Sequence, residues 1–593
     1  MAIESLITEH LDIWAAAVRP KSSAGRGSNS KLELTGIKKL RELILELAVR
    51  GKLVAQDPND EPTFMLLERI AAEKALLVKE GKLKKLKAIP EVTDEDKLFE
   101  LPHGWLFTRL GNIGNIFNGD SINSQEKEAK YTGLVDGLPF IATKDVGYGF
   151  DGIDYQNGVL IPFEESKFKI ATKDTVLICA EGGSAGKKCG IVNQNVCFGN
   201  KLFAVELYGD IDPRFILSVY LTPTFFAQFS QSMTGIIGGI SSAKFSELLI
   251  PTPPIGEQLR IVAKVNELMA LCDQLEQQSE AQLEAHQTLV EVLLATLNDS
   301  SDSEELAKNW VRLVDHFDTL FTTEASIDAL KQTILQLAVM GKLVQQDPAD
   351  EPAFALLERI AAEKAQLVKE KRIKKEKPLA AITEGEKPFE LPAGWVWCRI
   401  ISCMDSLRDI SYGIIKLEAE PDVDGVPTLR CSDVKPGYID LTNVRYVSTE
   451  VEAPYARTRL KGGEILVNIR GTLGGVSLVP EELAGFNIAR EVAMLPLHSK
   501  ISGEYLVNVI GSPFFWGMIE SNLKGIAYKG LNLNTLRDFA IPLPPLEEQH
   551  RIVGKVDELV ALCDQLKSRL QANQQTQLVL AETLAEAALE GSI

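Results

Sequence analysis

The sequence contains one arrangement of segments twice, about 290 residues apart. Residues 44–80 and 334–370 are identical at 30 of 37 positions, with a constant offset of 290. A second pair, residues 250–275 and 541–566, is identical at 19 of 26 positions, with an offset of 291. The segments enclosed by these matches differ strongly in sequence but are almost equal in length. A repeated frame that holds two dissimilar inserts predicts recognition of a target with two different parts.

The composition is that of an ordinary globular protein. A chain of 593 residues is long enough for several domains with separate cores. No apolar run reaches the roughly 18 residues needed to cross a bilayer, and the N-terminal segment lacks the basic region of a secretory signal. The eight cysteines include no CxxC pair. These features predict a cytoplasmic protein with reduced thiols, no metal site and no contact with a membrane.

The charge is distributed unevenly between the frame and the inserts, which we call insert 1 (residues 102–249) and insert 2 (residues 392–540). The net charge of −19 argues at first against a nucleic-acid partner. However, residues 101–250 contain 12 basic and 15 acidic side chains, and residues 391–541 contain 15 and 17. Most of the acidity therefore belongs to the frame, and each nearly neutral insert can still present a basic face.

The pattern of apolar residues predicts a helical frame and inserts of mixed structure. We expect a helix over residues 1–20, a flexible linker over 21–30, a helix within the apolar segment 36–56 that ends near Gly51, and another from about 62 to about 87 with a basic tail. Both inserts are rich in glycine, β-branched and aromatic residues in short runs, which is typical of strands and turns. Each insert ends in a short helical stretch, so both inserts are predicted to be α+β.

A long helix is predicted after each insert, beginning at the sequences PTPP and PLPP. Apolar residues recur there at alternating spacings of four and three, which is the pattern of a coiled-coil seam. We expect the two helices to pair, and the alternative is an amphipathic helix packed on its own insert. The first helix, from 256 to about 296, would be about 60 Å long and could separate two modules by a DNA turn of about 34 Å or more. The seam residues are Ile261, Val265, Leu268, Cys272, Leu275, Ile552, Val556, Leu559, Cys563 and Leu566.

The sequence contains no motif that predicts catalysis. The segment EGGSAGKK (181–188) resembles a phosphate-binding loop, but Glu181 stands where that loop needs glycine and Lys188 where it needs a hydroxyl. No G-x-G-x-x-G follows a strand, and no H-E-x-x-H motif occurs. We therefore expect that the chain is not an enzyme and contains neither catalytic nor metal-binding residues. The two cysteines of the seam are expected to be buried apolar side chains.

One motif, I-P-x-P-P-x-x-E-Q-x-x-I-V, opens both long helices, and matching segments also occur in the inserts. GLPFIATKDV (137–146) aligns with GVPTLRCSDV (425–434), and GGSAG (182–186) aligns with GTLGG (471–475). This layout resembles the specificity subunit of Type I restriction–modification systems over essentially the whole chain. SYGI (411–414) also resembles a loop of that family, whereas insert 1 has NGDSI in its place. The residues that fit the helix motif are Pro251, Pro253, Pro254, Glu257, Gln258, Pro542, Pro544, Pro545, Glu548 and Gln549.

The resemblance implies a fold and a domain plan. The fold would be α+β, with two α/β target-recognition domains separated by long antiparallel coiled-coil helices and a pseudo-twofold internal repeat. The expected domains are an N-terminal helical region, the first target-recognition domain, a central helical spacer, the second target-recognition domain and a C-terminal helix, over residues 1–98, 99–250, 251–388, 389–541 and 542–593.

The resemblance also implies a division of labour between subunits. Each target-recognition domain would read one half of a bipartite, asymmetric site in double-stranded DNA. The helices would set the spacing and dock two modification (methyltransferase) subunits, and restriction (translocase/endonuclease) subunits would join them. S-adenosylmethionine, ATP and magnesium would be bound by those partner subunits and not by this chain.

Candidate DNA-binding residues are the loop side chains that can donate to base edges or phosphates. For each residue alone, an ordinary surface or packing role is equally compatible with the sequence. Insert 2 contains nine arginines and insert 1 contains two, so we hypothesise that insert 2 relies more on guanidinium groups. The candidates are Thr143, Lys144, Ser184, Lys187, Lys188, Lys201 and Lys244 in insert 1, and Tyr412, Arg430, Ser432, Arg470, Thr472, Arg490, Tyr528 and Lys529 in insert 2.

Three alternatives stay open at this point. The chain could be a coiled-coil adaptor whose inserts bind proteins, and the acidic charge favours that interpretation. Salt would separate the two, because the affinity for DNA falls by about 0.9 log units per log unit of salt for each phosphate contact. An enzyme with a site divided between the inserts conflicts with the missing motifs. A DNA-binding protein with one recognition domain conflicts with two full-length inserts.

Overall fold

The computed structural model describes residues 9–20, 32–81, 89–235, 238–301, 303–375, 378–421, 425–471, 473–523 and 531–590. The chain divides into two compact units. Unit 1 comprises Met1–Gln282 and Asn573–Ile593, and unit 2 comprises Leu283–Ala572. Insert 1 therefore lies in unit 1 and insert 2 in unit 2. Both boundaries between the units fall within the two long helices, which each contribute to both units.

Because the frame is repeated, equivalent helices occur in the first and the second half of the chain. Up to the end of the first long helix they are α1 (Leu11–Ala16), α2 (Thr35–Val49), α3 (Thr63–Lys79), α4 (Leu110–Ile113), α5 (Ser124–Glu126), α6 (Pro213–Tyr220), α7 (Pro223–Ser232), α8 (Ser242–Ser246) and α9 (Ile255–Asp299). The later helices are α10 (Ser303–Asp315), α11 (Phe317–Leu320), α12 (Glu324–Val339), α13 (Ala353–Lys369), α14 (Thr449–Glu452), α15 (Gly503–Gly511), α16 (Pro513–Leu523), α17 (Leu533–Asp538) and α18 (Leu546–Glu590).

The strands lie mostly in the inserts. Those of unit 1 are β1 (Arg19–Pro20), β2 (Leu32–Glu33), β3 (Leu106–Arg109), β4 (Gly114–Asn118), β5 (Leu138–Ile141), β6 (Leu160–Ile161), β7 (Ile170–Ala171), β8 (Val176–Cys179), β9 (Cys189–Ile191), β10 (Val196–Phe198), β11 (Leu202–Leu207) and β12 (Leu249–Thr252). Those of unit 2 are β13 (Val396–Arg399), β14 (Ser411–Tyr412), β15 (Val426–Leu429), β16 (Val434–Lys435), β17 (Tyr438–Ile439), β18 (Arg445–Val447), β19 (Ile465–Asn468), β20 (Val476–Leu478), β21 (Asn487–Ile488), β22 (Val492–Leu495) and β23 (Ala540–Leu543).

The two inserts share one sheet plan although their sequences differ. An antiparallel sheet has the order β4-β11-β8-β9 in insert 1 and β14-β22-β19-β20 in insert 2. A mixed sheet has the order β6-β5-β10-β7 in insert 1 and β18-β15-β21 in insert 2, and its parallel pair is β5 with β10 in insert 1 and β15 with β21 in insert 2. The central strands β8 and β19 are fully buried, which explains their continuous apolar runs. The predicted α+β fold is confirmed.

The apolar stripe of each long helix is buried in its own unit. In unit 2, Ile552, Val556 and Cys563 of α18 share one core with Leu330 and Ile334 of α12. All ten predicted seam residues are buried or half-buried. The stripe is thus covered by a helix of the frame rather than by the insert alone. That the two long helices also pair with each other stays a prediction.

Ion pairs flank the packed stripe in each unit. Arg41 of α2 lies 2.6 Å from both Asp273 and Glu276 of α9 in unit 1. In unit 2, Lys567 of α18 lies 3.0 Å from Asp328 of α12. The two seam cysteines are buried, as predicted, and burial raises the pKa of Cys272 to about 11.

Two predicted helices differ from those in the structure. Residues 1–8 of the helix expected over residues 1–20 lie outside the described residues. Within residues 9–20 the structure has the short α1, followed by β1, which pairs with β2. The helix expected to reach about residue 87 ends at Lys79, because the chain turns at Gly81 with a φ of 71°. Residues 82–88, which include most of the basic tail, and residues 21–31, which include the predicted linker of residues 21–30, lie outside the described residues. The first long helix was predicted from 256 to about 296, close to α9. Among the described helices, none is both long and apolar enough to cross a membrane.

An arginine ties the first strand of each insert to the segment before it. Arg399 on β13 is 7% exposed and donates to Glu386 and to the carbonyl oxygens of Ala381 (3.1 Å) and Asp538. The Arg399 guanidinium and the N–H of Thr383 lower the pKa of Glu386 to about 2. In unit 1, Arg109 holds Asp96 in the same way at 2.8 Å.

We expect the variant Glu386→Gln to reduce the loss of stability that unit 2 undergoes as the pH falls into the acid range. The pKa of Glu386 is lowered by folding from 4.5 to about 2, so its ionised form adds stability that is complete above pH 4.5 and is lost as the pH falls towards 2. Urea unfolding between pH 7 and pH 2 should show a lower stability of the variant at neutral pH and a smaller loss in acid.

The matched control is Glu384→Gln. Glu384 pairs with Lys387 at 2.6 Å, but its side chain is 90% exposed. Exposed pairs contribute little, so this variant should follow the wild type across the pH range. Parallel curves for Glu386→Gln and the wild type would contradict the assignment.

Candidate nucleic-acid interface

The glutamine of the helix motif joins the start of each long helix to its insert. Gln258 is fully buried, accepts the N–H of Asp212 at 3.1 Å and donates to the carbonyl oxygen of Pro253 at 3.0 Å. In unit 2, Gln549 makes the same two bonds, to Ser502 and Pro544, at the same distances. Asp212 and Ser502 cap the N-termini of α6 and α15. The motif therefore orients the insert relative to the helix that follows it.

The glutamate of the motif accepts a hydrogen bond from another segment of its own unit in both copies. Trp105 donates its indole N–H to Glu257 at 2.8 Å, and both side chains are buried. In unit 2, Gln346 donates to Glu548 at 3.2 Å. Burial raises the pKa of Glu257 and of Glu548. Both residues thus serve the packing of the frame.

The aligned recognition motifs form the same turn in both inserts. After β5, the N–H of Ala142 donates to Asp145 at 2.8 Å, and after β15 the N–H of Arg430 donates to Asp433 at 2.8 Å. Both aspartates are buried, and each closes a tight turn at the end of its strand. Thr143 and Lys144 therefore occupy the places of Cys431 and Ser432, as the alignment predicts.

NGDSI in insert 1 forms the same loop as SYGI in insert 2. The residue after Gly119 donates its N–H to Phe198 at 2.9 Å, and the residue after Gly413 donates to Ile488 at 2.8 Å. A Cβ atom added to Gly119 or Gly413 would lie 2.0 or 1.8 Å from the same carbonyl oxygen. Only glycine permits this approach. Asn118 thus takes the place of Tyr412, although the two sequences do not align by residue type.

The parallel strand pair shows which residues follow in each insert. Gly199 donates its N–H to Ile141 at 2.9 Å, and Ala489 donates to Leu429 at 2.8 Å. The next residues, Asn200 in insert 1 and Arg490 in insert 2, are therefore equivalent. The residues that follow these two, Lys201 and Glu491, are equivalent as well.

The strand that precedes the glycine turn gives a third correspondence. Ala180 donates its N–H to the carbonyl oxygen of Lys201 at 2.8 Å, and Ile469 donates to that of Glu491 at 2.9 Å. The following residues, Glu181 and Arg470, are therefore equivalent. Lys201 lies 3.4 Å from Glu181. Insert 2 has the opposite charges at the two equivalent positions, because the basic side chain is that of Arg470 and the acidic one is that of Glu491.

Three of the seven predicted residues of insert 1 line one cavity. Thr143, Lys144 and Lys201 line a cavity of about 180 Å³, together with Lys127 and Asn200. Asn200 also lines a neighbouring cavity of about 430 Å³ beside the glycine loop before α8. Lys244 lies on α8 and lines neither of these two cavities.

The two other predicted lysines of insert 1, Lys187 and Lys188, lie near aromatic rings. Lys188 donates to the carbonyl oxygen of Thr143 at 3.3 Å and lies 4.9 Å from the ring centre of Tyr148. The hydroxyl of Tyr148 lies 3.4 Å from that of Ser184. Lys187 lies 5.7 Å from the ring centre of Phe226. Lys188, Tyr148 and Ser184 thus form one partly exposed cluster beside the recognition turn.

In insert 2 the predicted arginines differ in their surroundings. Arg430 donates to Asp433 at 3.2 Å and to the carbonyl oxygen of Asn443 at 2.6 Å, so its guanidinium is oriented by its own turn. Ser432 donates to Asp433 at 2.7 Å. Arg470 and Arg490 are exposed. Tyr412 is partly exposed at the edge strand, whereas Thr472, Tyr528 and Lys529 lie outside the described residues.

The structure adds candidate residues that the sequence analysis did not name. Asn118, Glu181 and Asn200 stand where insert 2 has Tyr412, Arg470 and Arg490. An alignment of VCFGNKLFAV (196–205) with FNIAREVAML (486–495) contains the signal for Asn200, but these segments share no motif. Lys127 and Tyr148 had no signal in the sequence, because only folding brings them to the recognition turn.

Comparisons with known proteins agree with this geometry. The sequence profile of the Type I restriction modification DNA specificity domain matches residues 102–285 and 434–574. The Type I restriction enzyme EcoAI specificity subunit of Escherichia coli is 42% identical over 610 residues, which cover 99% of this chain and 100% of that protein. The EcoEI specificity subunit of the same organism is 43% identical over 607 residues, with the same coverage.

One solved structure to which the chain shows similarity is the HsdS subunit from Thermoanaerobacter tengcongensis. It has 17% sequence identity, a TM-score of 0.38, and coverage of 84% of this chain and 99% of that chain. The profile match and the relatives, which extend over the whole chain, decide the assignment. The chain belongs to the family of DNA specificity subunits of Type I restriction–modification systems.

Proposed function

We propose that insert 1 and insert 2 are target-recognition domains that each read one half of a bipartite, asymmetric DNA site. The observation that carries this proposal is one backbone plan with different side chains at equivalent strand ends, such as Asn200 and Arg490. Equivalent backbones can approach two half-sites in the same way, whereas different donors and acceptors read different bases.

The frame supports a docking role for partner subunits. Its two copies present nearly identical helices, α3 and α13, and each copy anchors its insert through the same buried glutamine. Two identical modification subunits would therefore meet equivalent surfaces. Restriction subunits would join this core. S-adenosylmethionine, ATP and magnesium would be bound by the partner subunits, and this chain would supply DNA specificity without a catalytic group of its own.

The proposal is tested by the methylated motif in DNA from cells that express this chain with its modification subunits. We expect two short specific sequences separated by a fixed gap of unspecified bases. Cells that express the modification subunits alone are the control and should lack this motif. A continuous palindromic motif would contradict the proposal.

The affinity of the assembled complex for DNA gives an independent measurement. We expect the logarithm of affinity to fall with the logarithm of salt, by about 0.9 for each phosphate contact. An affinity for DNA that does not change with salt would instead favour an adaptor whose inserts bind proteins.

A further inference from the structure

We infer that three pairs of equivalent residues determine which bases the two inserts read. This inference rests on the proposed function. The pairs, which we call the reading positions, follow β5, β8 and β10 in insert 1 and β15, β19 and β21 in insert 2, strands that belong to the two sheets of each insert. They are Ala142 and Arg430, Glu181 and Arg470, and Asn200 and Arg490.

Backbone hydrogen bonds bring the reading positions together. In insert 2, the bond from Ala489 to Leu429 places Arg490 beside the turn that begins at Arg430. The bond from Ile469 to Glu491 places Arg470 beside Arg490. The corresponding bonds in insert 1 join Gly199 to Ile141 and Ala180 to Lys201 (2.9 and 2.8 Å). Three chain segments that are distant in sequence thus offer adjacent side chains in each insert.

Insert 2 has a guanidinium at all three reading positions. Arg470 and Arg490 are exposed, and Arg430 is held in one orientation by Asp433 and Asn443. Arginine donates two parallel hydrogen bonds to the O6 and N7 atoms of guanine. The Nε and Nη2 groups of Arg430 already donate to Asp433 and Asn443, so Arg430 keeps only its Nη1 group for a single contact. The half-site of insert 2 is therefore expected to require guanine at the positions that Arg470 and Arg490 contact.

Insert 1 offers a different set of groups at the same places. Asn200 can bond adenine through both its amide oxygen and its nitrogen, and Glu181 can accept from the amino group of cytosine. Lys201 orients Glu181 at 3.4 Å, and Ala142 offers only a methyl group. The charge at positions 181 and 470 is opposite, so a base edge that suits one insert repels the other. The half-site of insert 1 is expected to require adenine or cytosine where insert 2 requires guanine.

The test exchanges residues between the inserts of the full chain, expressed with its modification subunits. We expect Arg490→Asn to weaken the preference for guanine at one position about 10- to 100-fold, which corresponds to the loss of one bidentate contact. Asn200→Arg should change one position in the other half-site. The gap and the untouched half-site should be the same as in the wild type. Methylated-base sequencing reads all of these at once.

Control substitutions lie in the same inserts but outside the reading positions. Arg457→Asn changes an exposed arginine beyond α14, and Gln194→Arg adds a charge before β10, at the opposite end of that strand from Asn200. Neither should change the motif. If the controls change it as strongly as the exchanges do, the inference is wrong.

If Arg490→Asn shows no methylation, the inference can still be tested. The variant Arg490→Lys and a binding assay serve that purpose. Lysine keeps the charge but lacks the two-pronged geometry, so it should relax the same base position. Competition by duplexes that carry single base-pair substitutions measures preference without methylation. A bipartite wild-type motif that is unchanged in the exchange variants would overturn this inference alone. A wild-type motif without two parts would overturn the proposed function instead.

Discussion

Replacement of Gly413 by alanine is expected to destabilise unit 2 by about 3 kcal/mol or more and to abolish base preference in the half-site of insert 2. The added Cβ would lie 1.8 Å from the carbonyl oxygen of Ile488, whereas real Cβ atoms stay beyond 3.0 Å. The loop must then move away, which breaks the bond from Ile414 to Ile488 (2.8 Å). Arg490 would move with it, because its N–H donates to the carbonyl oxygen of Ile414 at 2.9 Å.

The matched control is Gly517→Ala in the same insert. Gly517 lies in α16 with nothing within 4 Å of an added Cβ, so alanine should stabilise the helix by about 1 kcal/mol. Thermal unfolding should give a lower unfolding temperature for Gly413→Ala and a higher one for Gly517→Ala. Hydrogen exchange should locate the effect of Gly413→Ala in the strands beside Ile488. Equal unfolding temperatures for Gly413→Ala and the wild type would show that the close approach does not exist.

The variant Gln549→Ala is expected to destabilise unit 2 by about 3 kcal/mol, because it leaves two buried polar groups without partners. The N–H of Ser502 loses its acceptor and the carbonyl oxygen of Pro544 loses its donor. Both groups are buried beside α18, where water does not replace the amide. Urea unfolding measures the loss, and Gln565→Ala, at an exposed position of the same helix, should change stability by less than about 0.5 kcal/mol.

A carboxylate in place of the Gln549 amide tests the role of this amide through the direction in which stability changes with pH. The variant Gln549→Glu can still accept from Ser502 but can donate to Pro544 only when it is protonated. Burial would raise the pKa of this carboxyl in the folded state, so the variant should gain stability relative to the wild type as the pH falls through that pKa. A difference from the wild type that is the same at pH 7 and pH 5 would contradict the role assigned to the amide.

The sequence predicted the frame better than it predicted the inserts. The bounds of α9 lie within three residues of the expected ones, because helical periodicity and the prolines before the helix are local signals. The expected helix beyond Lys79 was too long, because Gly81 stops it through its own backbone angle. In the inserts the sequence indicated strands, but strand order depends on contacts between distant segments.

The candidate site illustrates the same distinction at the level of single residues. The alignment of motifs correctly matched Thr143 and Lys144 to Cys431 and Ser432. It did not find Asn200, which has no motif in common with Arg490. It also treated Arg430 and Arg470 alike, whereas Asp433 and Asn443 hold Arg430 and the structure leaves Arg470 exposed.

By itself the sequence determined the repeated frame, the long helices, the α+β class and the family of this protein. These depend on periodicity and on motifs that are contiguous in the chain. Only the tertiary structure decided that NGDSI and SYGI form one loop and that Asn200 corresponds to Arg490, whereas the aligned glycine turns already matched Glu181 to Arg470. The reason is that hydrogen bonds between strands determine these correspondences, and a strand can keep its backbone partners while every side chain changes.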